Sequence, residues 1–259
     1  MTRRRFYAPP TAFAPDGVVV VLSEEESRHL RDVLRLRAGD EAHVFDGEGR
    51  EFACVVAAPG GRREPARLEV RARAEAPSPE SPLSLTLAVA LLKGEKFDLV
   101  VQKATELGVS RVVPVLTKRA DVRLRDARDA DGRVERWRRL ALEASKQSGR
   151  AVVPPVAAPV AFDSLIETEG ATIETEGATR LLFAERGGAG LDSLADETPA
   201  PPAPVVALVG PEGGWDEGEL SQARARGWTL VTLGGRTLRA ETAAIAVCVL
   251  LQNLFGDLK

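Results

Sequence analysis

The residues best suited to chemistry lie in two glycine-bearing turns near the end of the chain. The first is Gly210-Pro211-Glu212-Gly213-Gly214-Trp215, directly after the apolar run Val205–Val209. Its glycines permit positive φ and let a ligand approach the backbone closely. Pro211 stiffens the turn, and Glu212 could accept hydrogen bonds from a ribose or an amino group. A plain tight turn is the alternative. The second runs Leu233-Gly234-Gly235-Arg236-Thr237-Leu238-Arg239-Ala240-Glu241-Thr242-Ala243 and joins a strand to the last helix. Here the alternative is a structural Arg239–Glu241 ion pair. Two such turns at strand carboxyl ends, close in sequence, better fit one ligand pocket.

Two further groups are candidates. In Lys93-Gly94-Glu95-Lys96-Phe97 with Gln102–Gly108, Lys103 and Glu106 stand three apart, which also suits an ordinary helix-surface pair. In Arg136-Trp137-Arg138-Arg139 with Glu143, Lys146, Gln147, Ser148 and Arg150, Glu143 and Gln147 share a helix face. Arg beside Trp suits phosphate contact plus stacking, although Trp137 could equally be core. Residues 111–150 hold 12 basic and 6 acidic residues, while 151–259 hold 7 and 15. A basic block inside a chain of net charge -3 reads as a phosphate-binding face or a solvated helix.

Several signatures are missing: G-x-x-x-x-G-K-[ST], a strand-linked G-x-G-x-x-G, H-E-x-x-H, C-x-x-C and G-x-S-x-G. A P-loop enzyme and a Rossmann dinucleotide site are therefore unsupported. Two His and two Cys are too few for a conventional structural zinc site. Cys54 and Cys248 lie far apart, so a disulfide framework is not expected and a reducing cytoplasm is the default. The basic start Arg3-Arg4-Arg5-Phe6-Tyr7 has no apolar run behind it and does not read as a secretory signal. No run approaches the roughly 18–20 apolar residues of a membrane-spanning helix.

The elements that must hold these groups fall into two parts. Residues 1–75 read as a small β-rich domain. Strands are predicted over Val18–Leu22, Ala42–Phe45, Glu51–Ala57 and Ala66–Ala74. Asp46-Gly47-Glu48-Gly49 signals a hairpin, and the capping box Ser23-Glu24-Glu25-Glu26 should start a helix through about Leu34. Three prolines within Glu75–Pro82 mark the linker, 76–82. From 83 to 259 strands and helices alternate, which argues for a parallel sheet covered by helices, an α/β fold. Strands are expected at Leu83–Leu92, Arg111–Leu116, Arg180–Ala184, Val205–Val209 and Trp228–Leu233. Helices are expected over Phe97–Leu107, Val134–Ser148, Glu217–Arg226 and Glu241–Phe255. The last is apolar nearly all round and must be covered by its own core or by a second subunit. The verbatim repeat of Ile166–Thr172 as Ile173–Thr179 reads as a surface-loop expansion, and Thr198–Pro204 as a proline-rich spacer.

Taken together and in order, these groups resemble the RsmE family of small-subunit (16S) ribosomal RNA methyltransferases, of the SPOUT superfamily. The match runs from Arg5-Phe6-Tyr7 through His29-Leu30, Val33-Leu34-Arg35, Gly39-Asp40, Asp46-Gly47, Lys93-Gly94 and Lys103–Val109. It continues through Arg136-Trp137, Glu143-Ala144, Gln147-Ser148 and Arg150 to the two glycine turns, whose pairing is its most specific part. Thr237 departs from the family, which usually has an aliphatic residue there. The resemblance implies an N-terminal PUA-like β-barrel for RNA binding and a C-terminal parallel sheet threaded into a deep trefoil knot. It implies S-adenosyl-L-methionine against Phe183, Ala184 and Glu185, Gly210–Gly214, and Leu233, Gly234, Arg236, Leu238, Arg239, Glu241, Thr242 and Ala243. It also implies methylation of uridine N3 in the assembled small subunit, a homodimer, and no metal.

In that reaction Arg239 or Arg150 would stabilise the anionic uracil, and Glu212 or Glu143 would take the proton or orient the cofactor. Arg3, Arg4, Arg5, Arg136, Arg139, Lys146 and Arg150 would contact RNA. The competing expectation is a non-catalytic ribosome-assembly factor on the same scaffold, which the intact glycine turns disfavour. A nucleotide-binding enzyme is disfavoured by the missing P-loop lysine.

Overall fold

The computed structural model describes residues 3–167, 177–191, 193 and 204–259. Most of the seven-residue duplication and of the proline-rich spacer lies outside the described residues. The chain forms two compact units, Met1–Glu80 with Ser145–Val153, and Ser81–Ala144 with Pro154–Lys259.

The first unit is a five-stranded sheet in the order β1-β3-β4-β5-β2. β1 (Arg5–Tyr7) lies parallel to β3 (Glu41–Phe45), and the other pairings are antiparallel. β2 is Val19–Val21, β4 Glu51–Ala58 and β5 Arg67–Ala74. Phe6, Val20, Val44, Val56 and Leu68, one from each strand, are buried in a single core with Leu30, so the sheet curls round it. The β3–β4 hairpin is built by Asp46, whose carboxylate accepts the backbone N–H groups of Glu48 (2.8 Å) and Arg50 (3.0 Å). At Gly47, φ is +81° and a Cβ would lie 2.9 Å from the Tyr7 ring, so only glycine fits.

Ser23 caps α1 (Glu24–Arg28) by accepting the Glu26 backbone N–H at 3.2 Å. The second arm of the expected capping box is redirected: the Glu26 carboxylate takes the Lys146 ammonium at 2.7 Å. The helix continues as a π-turn over His29–Val33 and stops near Arg35, the one non-glycine residue at positive φ (+55°) among the described residues.

The unit boundary between Glu80 and Ser81 falls inside the proline-rich stretch, but residues 145–153 join the first unit rather than the second. Polar ties explain this. The Arg5 guanidinium donates to the carbonyls of Ser145 (3.4 Å), Lys146 (3.0 Å) and Arg150 (3.0 Å). Ser78 Oγ donates to the Ser148 carbonyl at 2.7 Å, and Arg150 pairs with Glu80 at 2.6 Å. No local pattern in sequence announces such long-range bonds.

The second unit is a seven-stranded sheet in the order β10-β12-β9-β11-β6-β7-β8, with every pairing parallel. The strands are β6 (Leu85–Ala90), β7 (Arg111–Leu116), β8 (Val160–Ala161), β9 (Thr179–Phe183), β10 (Ala189–Gly190), β11 (Val205–Val209) and β12 (Thr229–Thr232). A sheet covered on both faces needs continuous apolar strands, and β11 is buried at all five residues. The helices are α2 (Lys96–Glu106), α3 (Ala127–Ser148, whose last four residues belong to the first unit), α4 (Phe162–Ile166), α5 (Glu217–Ala225) and α6 (Ala240–Phe255). Asp216 and Glu219 form a complete capping box at α5. The short β1, β8, β10 and α4 carry too few residues for a periodic signal.

α6 packs on α2, β6 and β11 through Ala244, Val247, Cys248 and Leu251. Gln252 is fully buried between two partners: its amide nitrogen donates to the Leu107 carbonyl (2.9 Å) and its oxygen accepts Ser81 Oγ–H (2.6 Å). The opposite face leaves Val249, Leu250 and Leu254 exposed. Trp137 is core: its ring centroid lies 4.3 Å from that of Phe97 and its Nε1–H donates to Asp98. Lys103 and Glu106 form the helix-surface pair at 2.9 Å. Both cysteines are free and buried, and burial pushes each thiol up to about 12. Among the described residues no helix is long and apolar enough to cross a membrane.

Candidate active site

Parallel register brings three strand ends together. Phe183, the last residue of β9, stands opposite both Val209 of β11 and Val231 of β12. The loops that continue from these strands enclose a cavity of about 300 Å³. Its wall contains Phe183, Ala184 and Glu185, Gly210, Pro211, Glu212 and Gly214, and Leu233, Gly234, Arg236, Leu238, Arg239 and Ala243. The two glycine turns therefore meet around one space.

Trp215 fastens that space together. Its indole N–H donates to the Phe183 carbonyl at 2.8 Å, tying the end of β9 to the first glycine turn. A Cβ at Gly210 would sit 2.8 Å from the indole, so the turn can pass there only as glycine. Gly214 (+69°), Gly234 (+71°) and Gly235 (+70°) take left-handed φ, which shapes the two rims.

Three of the expected residues face elsewhere. A Cβ at Gly213 would lie 2.9 Å from the Arg119 carbonyl oxygen, so its close approach is to protein backbone. Thr242 is exposed and outside the cavity wall. Glu241 turns to Lys96 at 3.6 Å, which replaces the Arg239–Glu241 pair that the spacing allowed. Val209, Trp215, Thr232, Thr237 and Ala240 also line the cavity, although none was assigned a cofactor contact. Of these, Thr237 stood out only as the family departure.

Lys96, in one of the candidate groups, has a pairing that sequence reasoning missed. Its ammonium lies 3.0 Å from Glu212 Oε1 and 3.6 Å from Glu241 Oε2. It stands 116 residues before Glu212, so no spacing rule links them. Burial pushes the Glu212 carboxyl up, but the hydrogen bond and charge of Lys96, together with backbone hydrogen bonds from Glu212 itself and Lys93, outweigh this and hold it below its ordinary value. Hydrogen bonding to Glu212 raises the Lys96 ammonium in turn. The carboxylate's share of this pairing is lost only as pH falls through its lowered value. The ammonium's share is lost only as pH rises through its raised one, so the pair is intact around neutrality.

One polar atom in the wall has no partner among the described residues: Glu212 Oε2 is buried and accepts nothing. A buried acceptor of this kind calls for a donor, and a ribose hydroxyl or an amino group supplies one. Apolar Phe183, Leu233, Leu238 and Ala243 suit a flat heterocycle. Arg239 is exposed at the start of α6, lines the cavity and has no side-chain partner among the described residues. These residues fit a bound S-adenosyl-L-methionine.

The other expected site residues are placed differently. Glu143 is exposed on α3 and does not line the cavity. Arg150 does not line it either: its side chain is 4% exposed and paired with Glu80. Arg5 and Lys146 are likewise committed, to Glu51 with backbone carbonyls and to Glu26, and Arg136 pairs with Asp98. Arg3 donates to the Glu75 carbonyl at 2.6 Å. Arg4 and Arg139 are exposed. For Arg5, Lys146 and Arg150 the cause is burial: a buried guanidinium or ammonium must be paired, and Glu51, Glu26 and Glu80 supply the carboxylates.

A family model for the RNA methyltransferase domain matches residues 79–252, and one for the RNA methyltransferase PUA domain matches residues 22–64. The chain belongs to the ribosomal RNA small subunit methyltransferase E family. The family's member from Synechocystis is 35% identical over 237 residues, covering 89% of this chain and 72% of that one. Its member from Mycobacterium bovis is 32% identical, covering 89% and 85%. Among solved structures, the methyltransferase E from Neisseria gonorrhoeae bound to S-adenosyl methionine matches with a TM-score of 0.84 and 32% identity, covering all of both chains. The putative methyltransferase Lpg2936 from Legionella pneumophila, also in complex with that cofactor, matches at 0.84 and 29%, covering 99% and 100%. As a member of the methyltransferase E family, this chain has its parallel sheet in the matched methyltransferase domain and its curled sheet around the matched PUA segment.

Proposed function

We propose that this chain methylates N3 of a uridine in small-subunit ribosomal RNA, using S-adenosyl-L-methionine held between its two glycine turns. The observation that carries the reading is the cavity at the ends of β9, β11 and β12, with an unpartnered Glu212 oxygen and an uncommitted Arg239 guanidinium in one wall. When bound, the cofactor supplies a methyl group already activated by a sulfonium, so the protein needs only to align the two centres and favour the N3 anion.

Glu212, kept ionised by Lys96, accepts a hydrogen bond from the cofactor and orients it. Arg239 stabilises the anionic uracil through its carbonyl oxygens, which lowers the cost of losing the N3 proton. N3 lies on the pairing edge, so the uridine must be unpaired or turned out. The apolar stripe Val249, Leu250 and Leu254 on α6 is the face for a second copy, and the crossovers around β9, β11 and β12 carry the family's knot. Sedimentation at the dimer mass, reduced to the monomer by Leu250→Glu, is the expected result. The enzyme works on the ribosomal subunit in the cytoplasm.

The test incubates the purified chain with unmodified small subunits and labelled cofactor, then maps the methyl group by mass spectrometry. One methyl at a uridine N3 is expected, with Arg239→Ala slowing turnover at least tenfold, about 1.4 kcal/mol, and leaving the fold intact. A methyl on a carbon or on a ribose oxygen, or full turnover by Arg239→Ala, overturns the assignment. The assembly-factor alternative has one clear mark, no calorimetric heat with S-adenosyl-L-methionine.

A further inference from the structure

We infer that the segment Lys118–Arg128, which follows β7 and runs into the first turn of α3, is the surface on which the methyltransferase unit holds the phosphate backbone of its RNA, with Arg123 and Arg125 as the contacts. The inference rests on the proposed RNA-methylating function. It adds where on this unit the substrate strand runs.

The segment carries five basic residues, Lys118, Arg119, Arg123, Arg125 and Arg128, against two acidic ones, Asp121 and Asp126. Its first turn is fixed to the rim of the cavity. The Arg119 carbonyl packs so tightly on Gly213 that a Cβ there would lie 2.9 Å away. Lys118 and Arg119 both reach Asp216, at 3.1 and 3.7 Å, and the Lys118 backbone N–H donates to Glu219 Oε1 at 2.9 Å. Lys93 pairs with Asp121 at 2.8 Å. Two cations and one anion of the segment are thus consumed as anchors.

The next two arginines are not consumed. Among the described residues the exposed Arg123 has no side-chain partner, and the Arg125 side chain is 84% exposed, with a long ion pair to Asp129 at 3.9 Å. Arg123 is two residues beyond anchored Asp121, within roughly 7 Å along the chain. Arg123 and the largely exposed Arg125 therefore follow directly on a stretch anchored to the first glycine turn and to the start of α5. Guanidinium groups recognise phosphate oxygens in a bidentate manner. Of the basic residues of α3 that the sequence offered for this task, Arg136 and Lys146 are already paired with Asp98 and Glu26, and Arg139 is exposed. A held start followed by exposed arginines is what a phosphate-tracking loop requires.

The test uses the full chain and unmodified small subunits from a strain lacking this enzyme. The Arg123→Ala/Arg125→Ala pair should raise the KM for subunits about tenfold or more, with kcat within about twofold. The calorimetric affinity for S-adenosyl-L-methionine should not change. The slope of log affinity against log salt should shrink by roughly 1 to 2, the loss of one or two phosphate contacts. Arg123→Lys/Arg125→Lys should recover most of the KM, because the charge is kept. A wild-type KM and salt slope in the alanine pair, with wild-type turnover intact, overturns this surface and leaves the proposed function standing. A wild-type chain that transfers no methyl to subunits overturns both.

Discussion

Arg5→Ala is expected to destabilise the first unit by about 3–5 kcal/mol, the range for removing one partner of a buried ion pair. Arg5 is nearly buried, with 7% of its side chain exposed, and Glu51 beneath it has none. The guanidinium fork meets Glu51 at 3.1 and 2.8 Å, reaches three carbonyls of residues 145–150, and lies 4.6 Å from the Phe45 ring centroid. Its removal strands a carboxylate out of water, and Arg3, at 3.5 Å and 40% exposed, compensates only in part. In a thermal scan the transition of the whole chain should fall by roughly 10 °C, at about 2–4 °C per kcal/mol for a chain of this size. Arg5→Lys should recover little, since an ammonium cannot make the fork. An unchanged transition together with weaker RNA binding would return Arg5 to the role its place in a basic N-terminus suggested.

Gly210→Ala is expected to weaken S-adenosyl-L-methionine binding by about 10- to 100-fold and to cost about 1–3 kcal/mol of stability. The new Cβ would lie 2.8 and 2.9 Å from indole atoms of Trp215. The indole cannot yield freely, because its N–H is bound to the Phe183 carbonyl and its ring packs on Phe162 at 5.6 Å. Displacing it leaves a buried carbonyl unsatisfied, at a cost of about 1–3 kcal/mol, and shifts Phe183, itself part of the cavity wall. Gly235→Ala is the control: it has open space around it and a left-handed φ, so it carries backbone strain without crowding. Equal calorimetric affinities for Gly210→Ala and the unaltered chain would show that Trp215 does not set the shape of the site.

The outline of the site was legible because it depends on local chemistry. Glycine turns after apolar strands mark themselves, and β11 begins and ends where the valine run does. The parallel sheet was legible for the same reason, from continuous apolar strands between helical patterns. What sequence could not supply was the partner of each charge. Lys96 meets Glu212 and Arg5 meets Glu51 through the fold, across 116 and 46 residues. Arg5, Lys146 and Arg150 look in sequence like an RNA-facing set. Burial converts them into internal fasteners, while Arg4, Arg139 and Arg123 stay exposed. The capping box at Ser23 shows the same limit on a small scale, since Glu26 had a more distant partner available.

Because residues 145–153 complete the first unit, its strands are synthesised long before its last piece. A nascent chain that has emerged only as far as Glu80 lacks the carbonyls that Arg5 binds and the arginine that Glu80 binds. This module must therefore wait for more than sixty further residues to leave the ribosome before it closes. A gene fragment ending at the proline-rich stretch would yield an unfinished module rather than an independent RNA-binding domain.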